Sequence, residues 1–185
     1  MELSTRRAAI VAGVGLLLMA VLAAFANFGV LEDPHPSDGM LRMGVAAFMV
    51  VAILDVVVAW ALWVFYAPTD AALSTLAAWL RVGYTAVFLV AITHLSMSQM
   101  DTFRGIWSIS LNLFGMHLVV LGYLVAKAKP VWLGVVLALA GASYLIDGFG
   151  KVMFAGYNVE LSAVGGFGEV ALIGWLLIRG ARRTI

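Results

Sequence analysis

The sequence predicts an all-α fold, a polytopic membrane bundle of six transmembrane helices, and three observations predict it. Of the 185 residues, 64% are hydrophobic and only 11% are charged, more apolar surface than a water-soluble domain of this length can hide. The apolar residues fall into six separate runs, each near the ~20 residues that a helix needs to cross a bilayer. Each run is also closed by prolines, glycines or a cluster of polar residues, where a helix in lipid would have to end.

The first run, Ala8 to Leu31, follows Arg6-Arg7 and stops at Glu32-Asp33-Pro34-His35-Pro36-Ser37-Asp38-Gly39, whose two prolines forbid helix continuation. Arg6-Arg7, the apolar stretch and Ala24-Phe25-Ala26 together imitate a secretory leader with a cleavage site. The stretch is nevertheless long enough to span, so an uncleaved first helix is expected, with a twin-arginine export signal as the alternative. The second run, Leu41 to Phe65, turns at Ala67-Pro68-Thr69-Asp70 into the third, Leu73 to Met97. Gly105 to Ala126 forms the fourth and Val131 to Phe154 the fifth. Between them stands Lys127-Ala128-Lys129-Pro130, with Pro130 placed where a helix start tolerates it. Gly156-Tyr157-Asn158 breaks the chain before the sixth run, Leu161 to Ile178. No long linker or low-complexity tract separates these runs, so residues 1–185 read as a single integral membrane domain.

Lysine and arginine favour the cytoplasmic side of a membrane protein. With an even number of passes, Arg6, Arg7, Lys127, Lys129, Arg179, Arg182 and Arg183 share one side. Glu32, Asp33, Asp38, Asp101 and Glu160 share the other, with Arg42 and Arg104 as basic exceptions. Both termini are therefore expected in the cytoplasm. Net charge is +1 and no basic stretch exceeds two adjacent residues, so nothing points to nucleic acid. Cysteine is absent, which excludes disulfides, thiolate metal sites and cysteine nucleophiles.

Five ionisable residues, Asp55, Arg81, His117, Asp147 and Glu169, each lie deep inside a different apolar run. A charge at the bilayer centre costs ~3 kcal/mol even on lenient insertion scales, so these side chains should point inward and meet. Helical rise converts sequence position to depth. Asp55 and Arg81 are equally distant from Pro68, which sets them level across the second hairpin. Asp147 and Glu169 are equally distant from Asn158, which sets them level across the last one. Lys151 stands one turn beyond Asp147, in the favourable order for an intrahelical pair, and Tyr144 stands one turn before it. Asp55, Asp147 and Glu169 carry three formal negative charges against Arg81 and Lys151, so one proton would neutralise the group. Buried ion pairs can also simply fix helix register. Arg81 with Asp55 best fits that role, and Asp147, Glu169 and His117 fit a functional one.

Other residues have plainer readings. His94, near the outer end of the third helix, lies ~20 Å from the layer of His117, which argues against a bis-histidine haem. His35 in its acidic loop lacks ligand partners at fixed spacing. Gly134, Gly141 and Gly148 lie on one face of the fifth helix, and Gly165, Gly166 and Gly168 crowd the start of the sixth. Close helix packing explains them, with a softened sixth helix as the functional alternative. The six tryptophans mostly suit interfacial anchoring and need no cofactor.

Several fragments, in this order and spacing, resemble a known family. They are Arg7-Ala8-Ala9, Asp55-Val56 before the Pro68 turn, Ala77-Ala78-Trp79-Leu80-Arg81 with Tyr84, and Phe103-Arg104. Gly115-Met116-His117-Leu118 with Leu121-Gly122-Tyr123-Leu124 follows, then Gly141 with Tyr144-Leu145-Ile146-Asp147, and Gly168-Glu169 with Trp175-Leu176-Leu177-Ile178-Arg179-Gly180. Together they are similar to the bacterial membrane family of the domain of unknown function DUF4386. The resemblance implies a six-helix integral membrane protein and carries no assigned chemistry.

Three functions are then open. The first is small-solute or proton-linked binding or transport at Asp55, Arg81, His117, Asp147, Lys151 and Glu169. Six helices are few for a carrier and no inverted repeat is evident, so a homodimer would be required. The second is a non-catalytic accessory or assembly subunit of a larger membrane complex, which makes catalysis the less favoured expectation. The third is an intramembrane metal-dependent hydrolase using His117, Asp147 and Glu169, although no HExxH-like spacing occurs and no resident metal is expected. Membrane lipids are the expected surroundings, and no cofactor is expected.

Overall fold

The computed structural model describes residues 4–33, 36–178 and 182. It is all-helical among those residues, with six helices. These are α1 (Thr5–Ala26), α2 (Asp38–Tyr66), α3 (Ala71–Ser96), α4 (Met100–Ala128), α5 (Val131–Met153) and α6 (Ser162–Ile178). Five helices are long and apolar enough to cross a membrane, the first together with the turn that extends it. The sixth is apolar but shorter, at 17 residues.

Each start follows from local chemistry. Ser4 Oγ accepts from Arg7 N at 3.4 Å, Ser37 Oγ from Met40 N at 3.3 Å and Asp70 Oδ1 from Leu73 N at 3.2 Å. Each cap satisfies a backbone donor that the first turn leaves open. The far end of α1 widens into a π-helical turn, Asn27–Leu31, closed by Glu32 N donating to Asn27 O at 3.1 Å. The α2–α3 turn is as tight as Pro68 implied, with Thr69 N and Asp70 N both donating to Tyr66 O. α4 begins five residues before the expected Gly105. Its first five residues include Asp101 and Arg104, which hydropathy reads as a loop although they sit comfortably at an interface. Arg104 Nη2 donates to Leu31 O at 2.9 Å, so this basic exception fastens the end of the π-turn.

The helices stand in a closed ring in chain order, each packed on its sequence neighbours and α6 packed back on α1. Successive helices are antiparallel, so the bundle has two faces. The terminal face holds Arg6, Arg7, Lys127, Lys129 and Arg182, and the opposite face holds Glu32, Asp33, Asp38, Asp101 and Glu160. Arg179, Arg183 and His35 lie outside the described residues. Outward side chains such as Val21, Ile53, Ile109, Leu139 and Val170 are exposed apolar residues, while Asp55, Arg81, His117 and Asp147 are buried. That is the distribution hydrocarbon solvent requires.

Packing is closest between α4 and α5. A Cβ on Gly115 would lie 2.7 Å from Gly141 O, and one on Gly122 would lie 2.6 Å from Gly134 O. Backbone thus meets backbone at two levels, two turns apart, and only glycine permits it. The expected packing role of Gly134 and Gly141 is met. On the opposite-face side of the interior, Phe48, Phe88, Phe103 and Trp107 form an aromatic cluster with centroids 5.4–6.4 Å apart. Trp107 therefore faces inward and does not anchor at an interface.

A polar centre built from all six helices

The Asp55–Arg81 register holds. Arg81 Nε donates to Asp55 Oδ1 at 2.8 Å and Nη2 approaches the same oxygen at 2.7 Å, with both side chains almost fully buried. The tight Pro68 turn makes depth counting accurate across this hairpin. Arg81 then reaches further. Its Nη1 lies 3.3 Å from His117 Nε2, its Nη2 contacts Met19 Sδ at 4.0 Å, and its carbon Cζ lies 5.4 Å from the centroid of the Phe114 ring.

His117 has a fixed tautomer. Its Nδ1 is 2.8 Å from Ala77 O, which can only accept, so Nδ1 carries the hydrogen. Arg81 can only donate, so Nε2 must present its lone pair. The ring is held as the neutral Nδ1–H form, stacked on Phe114 at 5.8 Å between centroids. Both nitrogens are committed, which removes His117 as a ready metal ligand. Among the described residues no three His, Asp or Glu side chains converge as a metal set.

Glu169 on α6 faces this group, with the Tyr144 hydroxyl of α5 beside its carboxyl and the charges of Arg81 and Asp55 within electrostatic reach. Unlike Asp55, Arg81 and His117, each 1% exposed, Glu169 is only partly buried. Tyr84 completes the surroundings, accepting from Trp107 Nε1 at 3.3 Å and packing on Phe114. Every helix thus supplies at least one side chain to the centre: Met19, Asp55, Arg81 with Tyr84, His117, Tyr144 and Glu169. Met19, Tyr84 and Tyr144 carry no charge at neutral pH, so a search for buried charges passes over them as members of the site.

Asp147 and Lys151 stand elsewhere. Gly165 faces Ser143 and Tyr144, and Gly168 faces Ala140 and Val136. That register sets Glu169 opposite Leu139, so Asp147 lies ~12 Å nearer the opposite face than Glu169 instead of level with it. Symmetric counting from Asn158 fails because residues 154–161 are not helical and advance further per residue than a helix does. Asp147 instead accepts from Tyr157 Oη at 2.8 Å, and the Tyr157 ring lies over Gly150. This bond pushes the Tyr157 phenol above its usual range, with burial and the charge of Asp147 acting in the same direction. The Asp147–Lys151 ion pair does not form; Lys151, in the last turn of α5, is exposed.

The remaining polar contacts are peripheral. His94 Nδ1 lies 2.6 Å from Gln99 Oε1 at the end of α3, an end-of-helix histidine as expected. Lys127 Nζ and Asp70 Oδ2 form an exposed ion pair at 3.0 Å. The lysine hydrogen bond, followed by that of Leu73 N, holds the Asp70 carboxyl below its usual range.

Comparison with known proteins agrees with the resemblance seen in the sequence. The family described as domain of unknown function (DUF4386) matches residues 11–100 and 93–180. An uncharacterised protein of Archaeoglobus fulgidus is 34% identical over 140 residues, which cover 75% of this chain and 84% of that relative. No solved structure matches. Asp55, Arg81, His117, Asp147 and Glu169 all fall inside the matched residues, and the chain belongs to the DUF4386 family.

Proposed function

We propose that this is a multi-pass protein of the bacterial plasma membrane, with both termini cytoplasmic, that binds a small solute in a proton-linked manner at the six-helix centre. One observation carries the proposal: each helix of the ring contributes at least one side chain to the same mid-bundle group. Convergence from every helix exceeds what pairwise register needs. Within the group, Asp55 and Arg81 cancel and His117 is held neutral by its partners. Glu169 is then the group free to change charge, and Tyr144 is positioned to hydrogen-bond its carboxyl. Asp55, Arg81 and His117 form a strut, and Glu169 with Tyr144 forms the working part. The positive terminal face supports the orientation.

The test is infrared spectroscopy of the protein in lipid nanodiscs during a change of bulk pH. A protonated-carboxyl band that titrates, and that is missing in Glu169→Gln, supports proton exchange at the centre. A spectrum without such a band, or one unchanged by Glu169→Gln, would contradict it.

A second reading, an accessory or assembly subunit, is favoured by the complete pairing of Arg81, Asp55 and His117. Buried networks of that kind fix helix arrangement without further chemistry. Co-purification of a stoichiometric partner in mild detergent, unaffected by Glu169→Gln, would select it.

A further inference from the structure

We infer that the ligand of this centre is a lipid-soluble primary amine with a single long hydrocarbon chain, entering from the bilayer between α5 and α6. The inference rests on the binding role proposed above for Glu169 and names its substrate class and route.

The seams of the ring are not alike. α4 and α5 meet backbone to backbone through glycine, and α2, α3 and α4 are clamped by the Arg81 network. Between α5 and α6 runs a groove of about 220 Å³ lined by Leu139, Ala140, Ser143, Gly165, Phe167 and Gly168, among others. Its rim is continuous with the lipid-facing surface, since Leu139 and Phe167 are 66% and 73% exposed. Among the described lining residues Ser143 is the one whose side chain can hydrogen-bond, and its hydroxyl donates to Ala140 O of its own helix at 2.7 Å. The described wall is mostly apolar, so the groove suits a hydrocarbon chain.

Gly168, which lines the groove, immediately precedes Glu169 on α6. Gly165 lies one turn before Glu169, and a Cβ there would sit 3.1 Å from Tyr144 Cε2. Glu169 and Tyr144 both retain some exposure, unlike Asp55, Arg81 and His117.

Charge selects the head group. The groups facing Glu169 are Tyr144 from α5, Arg81 and Tyr84 from α3, and Asp55 from α2. α1 has no ionisable residue between Arg7 and Glu32. Arg81 is already paired with Asp55, so an ionised Glu169 has no counter-charge of its own. A cation supplies one, and an anion would add to the imbalance. In water the alkylammonium gives up its proton, and the neutral amine then crosses the hydrocarbon. At the centre its nitrogen takes the proton of the Glu169 carboxyl, leaving an ammonium–carboxylate pair. The net result is one amine bound and one proton released to water.

Infrared spectra of the full chain in nanodiscs test this directly, with dodecylamine as probe and butylamine and dodecanol as controls. The band absent in Glu169→Gln should disappear on adding dodecylamine, with acidification of the medium, and should ignore dodecanol. Leu139→Trp, a change at an exposed rim residue, should slow that loss by about an order of magnitude while leaving the protein folded. An unmoved band with dodecylamine overturns the inference, and so does an equal response to butylamine, which would signal entry from water. Unchanged kinetics in Leu139→Trp would overturn the route. A band that titrates with pH but ignores the amine leaves proton-linked binding standing and removes only this ligand class.

Discussion

Removing Asp55 while keeping Arg81 is the sharpest perturbation of the centre. Arg81 places two donors on Asp55 Oδ1 at 2.7 and 2.8 Å, and the two side chains are 2% and 1% exposed. Asp55→Asn leaves a buried guanidinium without its counter-charge, and breaking a buried pair in this way costs about 3–5 kcal/mol. Glu169 is the other carboxyl facing Arg81, so it takes over part of the role by ionising. Adding Glu169→Gln to Asp55→Asn should therefore cost more than the two changes measured separately. Replacing both partners, as in Asp55→Leu with Arg81→Met, removes the stranded charge. The residual loss, about 1–3 kcal/mol, comes from His117 Nε2 losing its donor. Equilibrium unfolding in mild detergent titrated with SDS, followed by tryptophan fluorescence, reads these differences. If Asp55→Asn costs less than about 1 kcal/mol, the value of a solvated surface pair, the centre is wet and its description as a shielded nucleus is wrong.

Other expectations are separable from this one. Gly122→Ala sets a Cβ 2.6 Å from Gly134 O and 2.8 Å from Ala138 N, so α4 and α5 must part at a cost of roughly 1–3 kcal/mol, whereas Gly174→Ala meets nothing and is neutral or mildly stabilising in the same unfolding assay. Nitrogen NMR of labelled histidine should report His117 as the Nδ1–H tautomer at neutral pH, and an Nε2–H signal would contradict the Ala77 and Arg81 contacts. Asp70→Asn keeps the helix cap but loses Lys127; because the Asp70 carboxyl is held below 3.8, its stabilising contribution is complete above that value and fades as pH falls through the lowered one. Thermal midpoints of wild type and Asp70→Asn should accordingly converge in acid and in high salt. Tyr157→Phe frees the 154–161 segment from Asp147 and should raise hydrogen exchange there. The Tyr157 bond itself is fully present below pH 10 and is lost as pH rises through the raised phenol value, so protection relative to the intrinsic exchange rate should fall in the wild type only in strong alkali.

How much of this was legible in the sequence depended on the turns. Across Pro68, a tight turn between two regular helices, counting residues measures depth and the Asp55–Arg81 pair follows. Across residues 154–161 it does not, because extended backbone and the Tyr157 contact displace α6, and the Asp147–Glu169 layer dissolves. Lys151 shows a second limit. Its spacing from Asp147 is right for a pair, but at the end of a helix a lysine can extend into water, and Asp147 receives a tyrosine hydroxyl instead. Tyr144, one turn before Asp147, proved the more informative neighbour because it faces Glu169. Gly115 and Gly122, which match Gly141 and Gly134, are invisible to hydropathy because their effect appears only when two helices are placed together.

The shielding of the centre depends on α6 being inserted between α1 and α5, and cysteine cross-linking measures that insertion directly in a chain that has no native cysteine. A Cβ at Gly13 lies 3.3 Å from Leu176 Cβ, and one at Gly168 lies 3.3 Å from Ala140 Cβ, both near disulfide range. Gly13→Cys with Leu176→Cys, and Gly168→Cys with Ala140→Cys, should each oxidise readily in native membranes, whereas the outward pair Leu17→Cys with Val170→Cys should not. A chain in which neither inner pair cross-links, or the outward pair does so equally well, has no closed ring, and Glu169 then faces lipid instead of Arg81.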